Sequence, residues 1–261
     1  MYTKTTLMNH LKELGIDSTG TVLVHSSMKS IGEVDGGGET VIDAFIDYMK
    51  EGLIVFPTHT WSYINGDNPK YYVDESPSCI GILPDLFRKR EGAIRSLHPT
   101  HSVAAIGKDA LSFISGDEKF DTPCARGSAW GKLLDRKAQI VLVGVSLIRN
   151  TFIHGIEEWV DIQGRLTDTH EQLYTVLPDG TEISVPSRRH CGLSWSLHFW
   201  KVEEMLLKHG AMHIGHFGDA EVRVCDTVKT TEILTKMLEV NPDLFSDNEP
   251  LDNELYKHLN F

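Results

Sequence analysis

Two kinds of apolar patterning alternate along the 261 residues. Short, nearly unbroken runs rich in branched residues predict strands buried on both faces: Thr21 to His25, Leu53 to Phe56, Val103 to Ile106, Gln139 to Val145 and Ala220 to Cys225. Longer stretches whose apolar positions recur every three or four residues predict helices. Thr5 to Leu14, with Leu7, Leu11 and Leu14 on one face and Gly15 at its end, is the first. Further helices are expected from Glu39 to Phe45, over Ile80 to Arg90 with an interruption at Pro84, over Ser128 to Leu134, along the face of Trp195, Phe199, Val202, Met205 and Leu206, and over Thr227 to Val240. Leu173 to Val185 instead alternates around Asp179-Gly180, a strong two-residue hairpin signal.

The chemistry is expected just after the most strand-like run. Gly144 and the polar Arg149-Asn150-Thr151 stop that strand, and Asn150 or Thr151 can cap a helix carrying His154 and Glu157 three residues apart, hence on one face. An imidazole beside a carboxylate is a base with its orienter. Pro57 to Trp61 follows the second strand at its C-terminal end, where ligands bind in open α/β sheets. The loop His25 to Gly32, with three serines, reads either as an anion site or as solvated hydroxyls, and the helix after Gly36-Gly37-Gly38 would present unpaired N–H groups to a phosphate. His98 and His101, at a strand entrance, read as structural imidazoles or as metal ligands. Gly127 to Lys132 has a spacing shorter than a P-loop and no strand before it, which rejects a nucleotide triphosphate there.

Composition narrows the classes. Asp and Glu number 37 against 25 Lys and Arg, a formal charge of −12, which argues against a nucleic-acid partner and suits a cationic ligand or simply a soluble surface. At 41% hydrophobic content the chain can bury a full core, and residues 1–261 are taken as one domain. Within it, residues 170–240 form a hairpin and helical C-terminal part, and residues 241–261 a loose acidic tail. The four cysteines are far apart and contain no C-x-x-C pair, so reduced cytosolic thiols are expected. The start lacks an apolar signal core and no stretch approaches a membrane span, so the expectation is a cytoplasmic protein with no membrane partner, monomer or homodimer.

Four segments together resemble the aminoglycoside 3-N-acetyltransferase family, the antibiotic acetyltransferases distinct from the GNAT fold. Val24 to Gly32 resembles the family's VHSS-x-x-S-x-G loop, and Gly52 to Thr58 its G-T-hydrophobic-hydrophobic-x-P-T strand, with Leu53 for the usual threonine. His98 to Val103 resembles its H-P-x-x-S-[FV] segment. Asn150 to Glu157 resembles its N-T-x-x-H-x-x-E signature, whose histidine and glutamate fall on His154 and Glu157. The resemblance spans about Thr5 to Leu238.

The resemblance implies a three-layer α/β/α sandwich around a mixed, mostly parallel sheet, with acetyl-CoA as donor, an aminoglycoside amine as acceptor and no metal. It also implies that Ser26, Ser27, Ser30, Ile31, Thr58, His98, Ser102 and Ser128 bind the donor. Arg188 to Gly192 departs from the acidic stretch many members have there and is similar to a smaller branch with His-Cys, which puts the acceptor in question. Asp67, Glu157, Asp161 and His190 are the candidates for holding a cationic acceptor. An alkylammonium is not a nucleophile, so a base must take a proton as nitrogen attacks the thioester; His154 is expected in that role, with Glu157 fixing its tautomer. Direct transfer is favoured over an acyl-enzyme, since no Gly-x-Ser-x-Gly occurs. The alternatives are acetyl transfer to another amine, a hydrolase with His98, His101, His154 and Glu157 as metal ligands, and a non-catalytic CoA-binding protein.

Overall fold

The computed structural model describes residues 1–191 and 195–261; Gly192, at the end of the His-Cys segment, lies outside them. The first half contains α1 (Lys4–Glu13), β1 (Thr21–Ser26), α2 (Gly37–Tyr48), β2 (Leu53–Pro57), β3 (Lys70–Tyr72), α3 (Ile82–Phe87), β4 (Ile94–Arg95), β5 (Val103–Gly107) and α4 (Ala110–Ile114). Then come α5 (Ala129–Asp135), β6 (Gln139–Val143), α6 (Thr151–Trp159), β7 (Glu171–Val176) and β8 (Glu182–Ser187). A 3-10 segment (Trp195–Val202) leads into α7 (Glu203–Lys208), followed by β9 (Met212–Phe217), β10 (Ala220–Asp226), α8 (Thr227–Val240) and α9 (Asn253–Tyr256).

Seven strands form one sheet in the order β4-β5-β2-β1-β6-β10-β9. The central strands β2, β1 and β6 are parallel. Each flank then reverses twice, through β5 and β4 on one side and β10 and β9 on the other. The sheet is therefore mixed, as expected, with most strands pointing the same way and the parallel pairing in the middle.

The unbroken apolar runs are explained by the two cores. Successive residues of a strand face opposite sides. Val22 and Val24, Ile54 and Phe56, and Val141 and Val143 face α1, α2 and α3. Leu23, Leu53 and Val55, with Ile140 and Leu142, face α5, α6 and α8. Helices on both faces of the sheet make the three-layer α/β/α sandwich. The hairpin expected around Asp179-Gly180 is present as β7 and β8, with Gly180 at φ 84°. It belongs to a second sheet, β3-β7-β8, because the polar loop after β2 contributes a parallel strand.

Two local expectations need correction. Residues 241–261 are not a loose tail: Leu244, Phe245 and Tyr256 are buried, and Phe245 packs edge-on against Phe199 at 4.7 Å. The periodic stretch from Trp195 is helical, but its first part is 3-10 rather than α.

Candidate active site

The three parallel strands end at one place. β1 runs out at His25-Ser26, β2 at Pro57 to Trp61, and β6 at Gly144 to Thr151, and side chains from all three exits line a cavity of about 540 Å³. This is the ligand-binding edge of a parallel sheet, and the volume is ordinary for a small-molecule site. Gly144 makes the exit from β6 possible. It sits at φ 64°, and a Cβ there would lie 2.3 Å from that of Ser30, so the turn and the serine loop close on each other only with glycine.

α6 carries the candidate His154–Glu157 pair. Phe152, Ile153 and Ile156 anchor it in the core, which turns His154 toward the cavity and Glu157 beneath it. His154 Nδ1 and Glu157 Oε2 are 3.0 Å apart, leaving Nε2 as the edge free to react. Glu157 is 1% exposed and is also gripped by Arg165, whose Nε donates to Oε1 at 2.9 Å and Nη2 to Oε2 at 2.8 Å. The Arg165 guanidinium lies 3.7 Å from the centroid of Trp195 and donates to the Cys191 carbonyl. Burial opposes ionisation of Glu157, but the bonds from His154 and Arg165 outweigh it and hold the carboxyl below its usual range. Burial, and secondarily the proximity of His190, pushes His154 below the ordinary histidine value, against the pull of Glu157. The result is a neutral imidazole of fixed tautomer.

A file of imidazoles runs through the pocket. His190 stacks on His154 with ring centroids 4.5 Å apart and 26° between planes; His101 is edge-on to His190 at 5.4 Å and 4.6 Å from His59. Burial drives His25 down to about 3 and His59 and His101 well below the usual value, so these rings are neutral. Four lining residues carry buried polar atoms without a partner: His25 Nε2, Ser26 Oγ, His59 Nε2 and both amide atoms of Asn150. Polar groups without a protein partner at a cavity wall can be met by water or by a polar ligand.

Of the residues expected to bind the donor, Ser26 alone lines this cavity. Ser27 and Ser30 bond to each other at 3.0 Å beneath it. Ile31 is fully buried, and its carbonyl accepts from Asp219 N–H. Thr58 and Ser102 are buried and share a 3.0 Å hydrogen bond. His98 is a structural ring whose Nδ1 accepts from the amides of Thr100 and His101, and Ser128 caps α5. The start of α2 does not reach the cavity, and Glu39 pairs with Arg90. The Ser27 amide donates to the Val143 carbonyl at 2.9 Å and is not free for a ligand.

The acceptor candidates divide similarly. His190 lines the cavity, whereas Asp67 is in an exposed turn, Asp161 is an exposed left-handed residue just past α6 at φ 59°, and Glu157 is committed to Arg165. Among the described residues no carboxylate lines the pocket. Nor do His98, His101, His154 and Glu157 converge as a ligand set, since Glu157 and the Nδ1 of His98 are spent on protein partners. A metal ion would find Cys124, Glu158 and His190 instead, whose ligand atoms lie within 4.8 Å of one another.

Sequence reasoning missed Arg165 and Arg149, and gave the side chains of Asn150 and Trp61 no place in the cavity wall. Asn150 was expected as a helix cap, yet its side chain makes no capping bond and is 1% exposed. Arg149 stands exposed at the rim, and Trp61, 44% exposed, offers a ring face. Arg165 has no local signal; only the turn after α6 brings it back to Glu157.

A cleft at the carboxyl ends of parallel strands, holding an oriented neutral base and unpartnered polar groups, defines a small-molecule enzyme of the acyl- or proton-transfer kind. The family profile described as aminoglycoside 3-N-acetyltransferase matches residues 23–239, and the chain belongs to that family. It is 31% identical over 199 residues to the aminoglycoside N(3)-acetyltransferase VII of Streptomyces paromomycinus, covering 69% of this chain and 68% of that one. The crystal structure of YokD from Bacillus subtilis superposes with a TM-score of 0.80 at 25% identity, over 92% of this chain and 94% of the other. A structure of AAC-IIIb as a binary complex with CoASH has the same fold, with a TM-score of 0.80 at 21% identity over 95% of this chain and 99% of that one.

Proposed function

We propose that the protein is an acetyl-CoA-dependent N-acetyltransferase that acetylates the 3-amino group of an aminoglycoside. The observation that carries the reading is the His154–Glu157 dyad, 3.0 Å across, whose imidazole lines the cavity at the ends of the central strands with Nδ1 committed to the carboxylate. The family's activity supplies the donor and the acceptor, and the residues present fit them. Arg149 at the rim offers a cation to the donor's phosphates, while Ser26 and Asn150 offer unpartnered polar atoms to the thioester end.

On this reading the acceptor nitrogen attacks the thioester carbonyl while His154 Nε2 takes its proton. Glu157 stabilises the imidazolium, and the amide of Asn150 is available to the oxygen on which negative charge develops. No covalent acyl-enzyme is needed. Cys124 is fully buried, and burial raises its thiol well above the usual value, so it is not a ready nucleophile. The acceptor's ammonium groups would meet neutral imidazoles and the Trp61 face rather than carboxylates. The protein would work in the cytoplasm with small molecules as partners, as a monomer or homodimer; no helix of the described residues is long and apolar enough to cross a membrane. Release of free CoA thiol from acetyl-CoA, measured across a panel of aminoglycosides and simple polyamines, tests the reading. Aminoglycoside-stimulated release with mass spectrometry placing the acetyl group on the 3-amino nitrogen is expected; the absence of stimulation by any amine would overturn it.

A further inference from the structure

We propose that Cys124, Glu158 and His190 form a zinc(II) site in the wall of the cavity, and that filling it inhibits acetyl transfer. The site stands on its own geometry; only the inhibition rests on the acetyl-transfer reading.

The three side chains come from separate parts of the chain: Cys124 from the loop before α5, Glu158 from α6 and His190 from the segment after β8. Their sulfur, carboxylate oxygen and imidazole nitrogen lie within 4.8 Å of one another. Backbone bonds hold each of them in place. The Cys124 amide donates to Glu158 Oε1 at 2.9 Å, and its carbonyl accepts from Trp159 Nε1 at 2.8 Å, so the cysteine is fastened to two consecutive residues of α6. His190 bridges to Leu166, and the next carbonyl, that of Cys191, accepts from Arg165. Ligands carried on a fixed backbone lose little freedom when a metal binds.

Two of the three have bonding capacity to spare. Glu158 is 4% exposed, and its Oε2 has no hydrogen-bond partner. Glu157, one residue earlier, is neutralised by Arg165 at 2.8 Å, whereas among the described residues no arginine or lysine pairs with Glu158. A bound ion or water explains a buried carboxylate oxygen left unpaired. Cys124 is fully buried, yet its Sγ makes only a 3.9 Å contact with the Thr151 carbonyl, so the sulfur gives up no strong bond. His190 lines the cavity and supplies the way in for an ion.

The donor set selects the metal. Thiolate, imidazole and one carboxylate suit zinc, whereas magnesium and calcium take oxygen alone. Three protein ligands leave one tetrahedral position for water. Tetrahedral zinc keeps its ligand atoms about 3.3 to 3.8 Å apart, so His190 Nε2 and Glu158 Oε1 must part by about 1 Å from their 2.6 Å hydrogen bond. Coordination breaks the Cys124 S–H bond and forms a zinc–sulfur bond, the proton leaving to solvent with no change of oxidation state.

The effect on turnover follows from one contact. His190 stacks on His154 with ring centroids 4.5 Å apart. A dication that replaces one thiol proton adds positive charge beside the ring that must become an imidazolium as the amine attacks. Zinc therefore opposes the base.

The test adds zinc chloride or cobalt chloride to the full chain after chelation and dialysis. Wild type should take up one equivalent of zinc, with X-ray absorption showing one sulfur at about 2.3 Å among nitrogen and oxygen ligands at about 2.0 to 2.2 Å. Cobalt should give a thiolate charge-transfer band. Cys124→Ser should lose the sulfur ligand and the band and bind zinc at least roughly tenfold more weakly. Glu158→Gln should weaken zinc binding while keeping the sulfur, and Cys79→Ser and Cys191→Ser should behave as wild type. Acetylated amine, measured by chromatography because CoA thiol itself takes up zinc, should form at least roughly tenfold more slowly once the site is filled. Cys124→Ser should keep most of its own zinc-free rate at that concentration. A shell of nitrogen and oxygen alone, a sulfur ligand that survives Cys124→Ser, or a filled site without effect on turnover would overturn the proposal. A chain that acetylates no amine fails the acetyl-transfer reading instead, and the absorption spectrum still decides the site.

Discussion

Arg165 holds Glu157 by both carboxylate oxygens, at 2.9 and 2.8 Å, in a pocket where each side chain is at most 3% exposed. The same carboxylate orients His154, so the arginine sets how much negative charge the base experiences. Buried pairs cost more to break than to replace whole. Arg165→Met should therefore destabilise the fold by about 3 to 5 kcal/mol, the usual penalty for leaving a buried charge uncompensated. Because the Arg165 charge lowers His154, its loss should also move the His154 titration upward. Thermal melts and histidine NMR on the same sample check both effects, and Arg165→Lys should recover part of each.

Acid should unfold this protein early. His25 and His98, buried and neutral, titrate in the fold at about 3, against about 6.5 for an unfolded histidine. A histidine with a depressed folded value binds protons better when unfolded, so its contribution is intact above about pH 6.5 and is lost as pH falls toward 3. At about pH 5 each should already cost about 2 kcal/mol. Denaturant melts between about pH 7 and pH 5 should show this loss, and His98→Gln should reduce it.

The lack of carboxylates on the described pocket lining sets the salt response of the acceptor. The Michaelis constant for an aminoglycoside should change little as ionic strength rises and the Debye length contracts from about 10 to 3 Å. Trp61→Ala, which removes a half-exposed ring from the rim, should instead raise that constant several fold and leave acetyl-CoA affinity unchanged. Steady-state kinetics at two salt concentrations and donor calorimetry would separate these effects. A steep salt dependence would place a carboxylate at the acceptor.

Asn150→Ala should lower kcat by roughly 10² fold or more if its amide meets the developing negative charge. The side chain makes no bond within the protein, so stability should fall little. A thermal melt beside the turnover measurement distinguishes this from simple loss of packing.

The central strands and the His154–Glu157 pair were legible because both are local. A run of branched apolar residues states that a strand is covered on both faces, and i, i+3 spacing on a helix puts His154 beside Glu157 without help from the rest of the fold. β9 was not foreseen: His213, Gly215 and His216 break its apolar alternation, and it sits at the sheet edge where water tolerates them. β3 was hidden in a polar loop, since its pairing with β7 depends on backbone bonds to residues a hundred positions away. The serine loop was over-read for a related reason. Hydroxyls announce donors, but only packing decides whether they face the cavity, as Ser26 does, or each other, as Ser27 and Ser30 do. Arg165 and His190 reach α6 from the chain that follows it, across contacts no periodicity records.

Turnover by His154→Ala tests the central claim most directly. The side chain is partly exposed at the cavity, between His190 and Phe199, so its removal should leave the melting temperature and acetyl-CoA affinity near those of the parent. Amine-dependent CoA release should fall by roughly 10² to 10⁴ fold, the usual worth of a positioned general base. A folded, donor-binding His154→Ala protein that still acetylates an aminoglycoside at near-parental kcat would contradict the account.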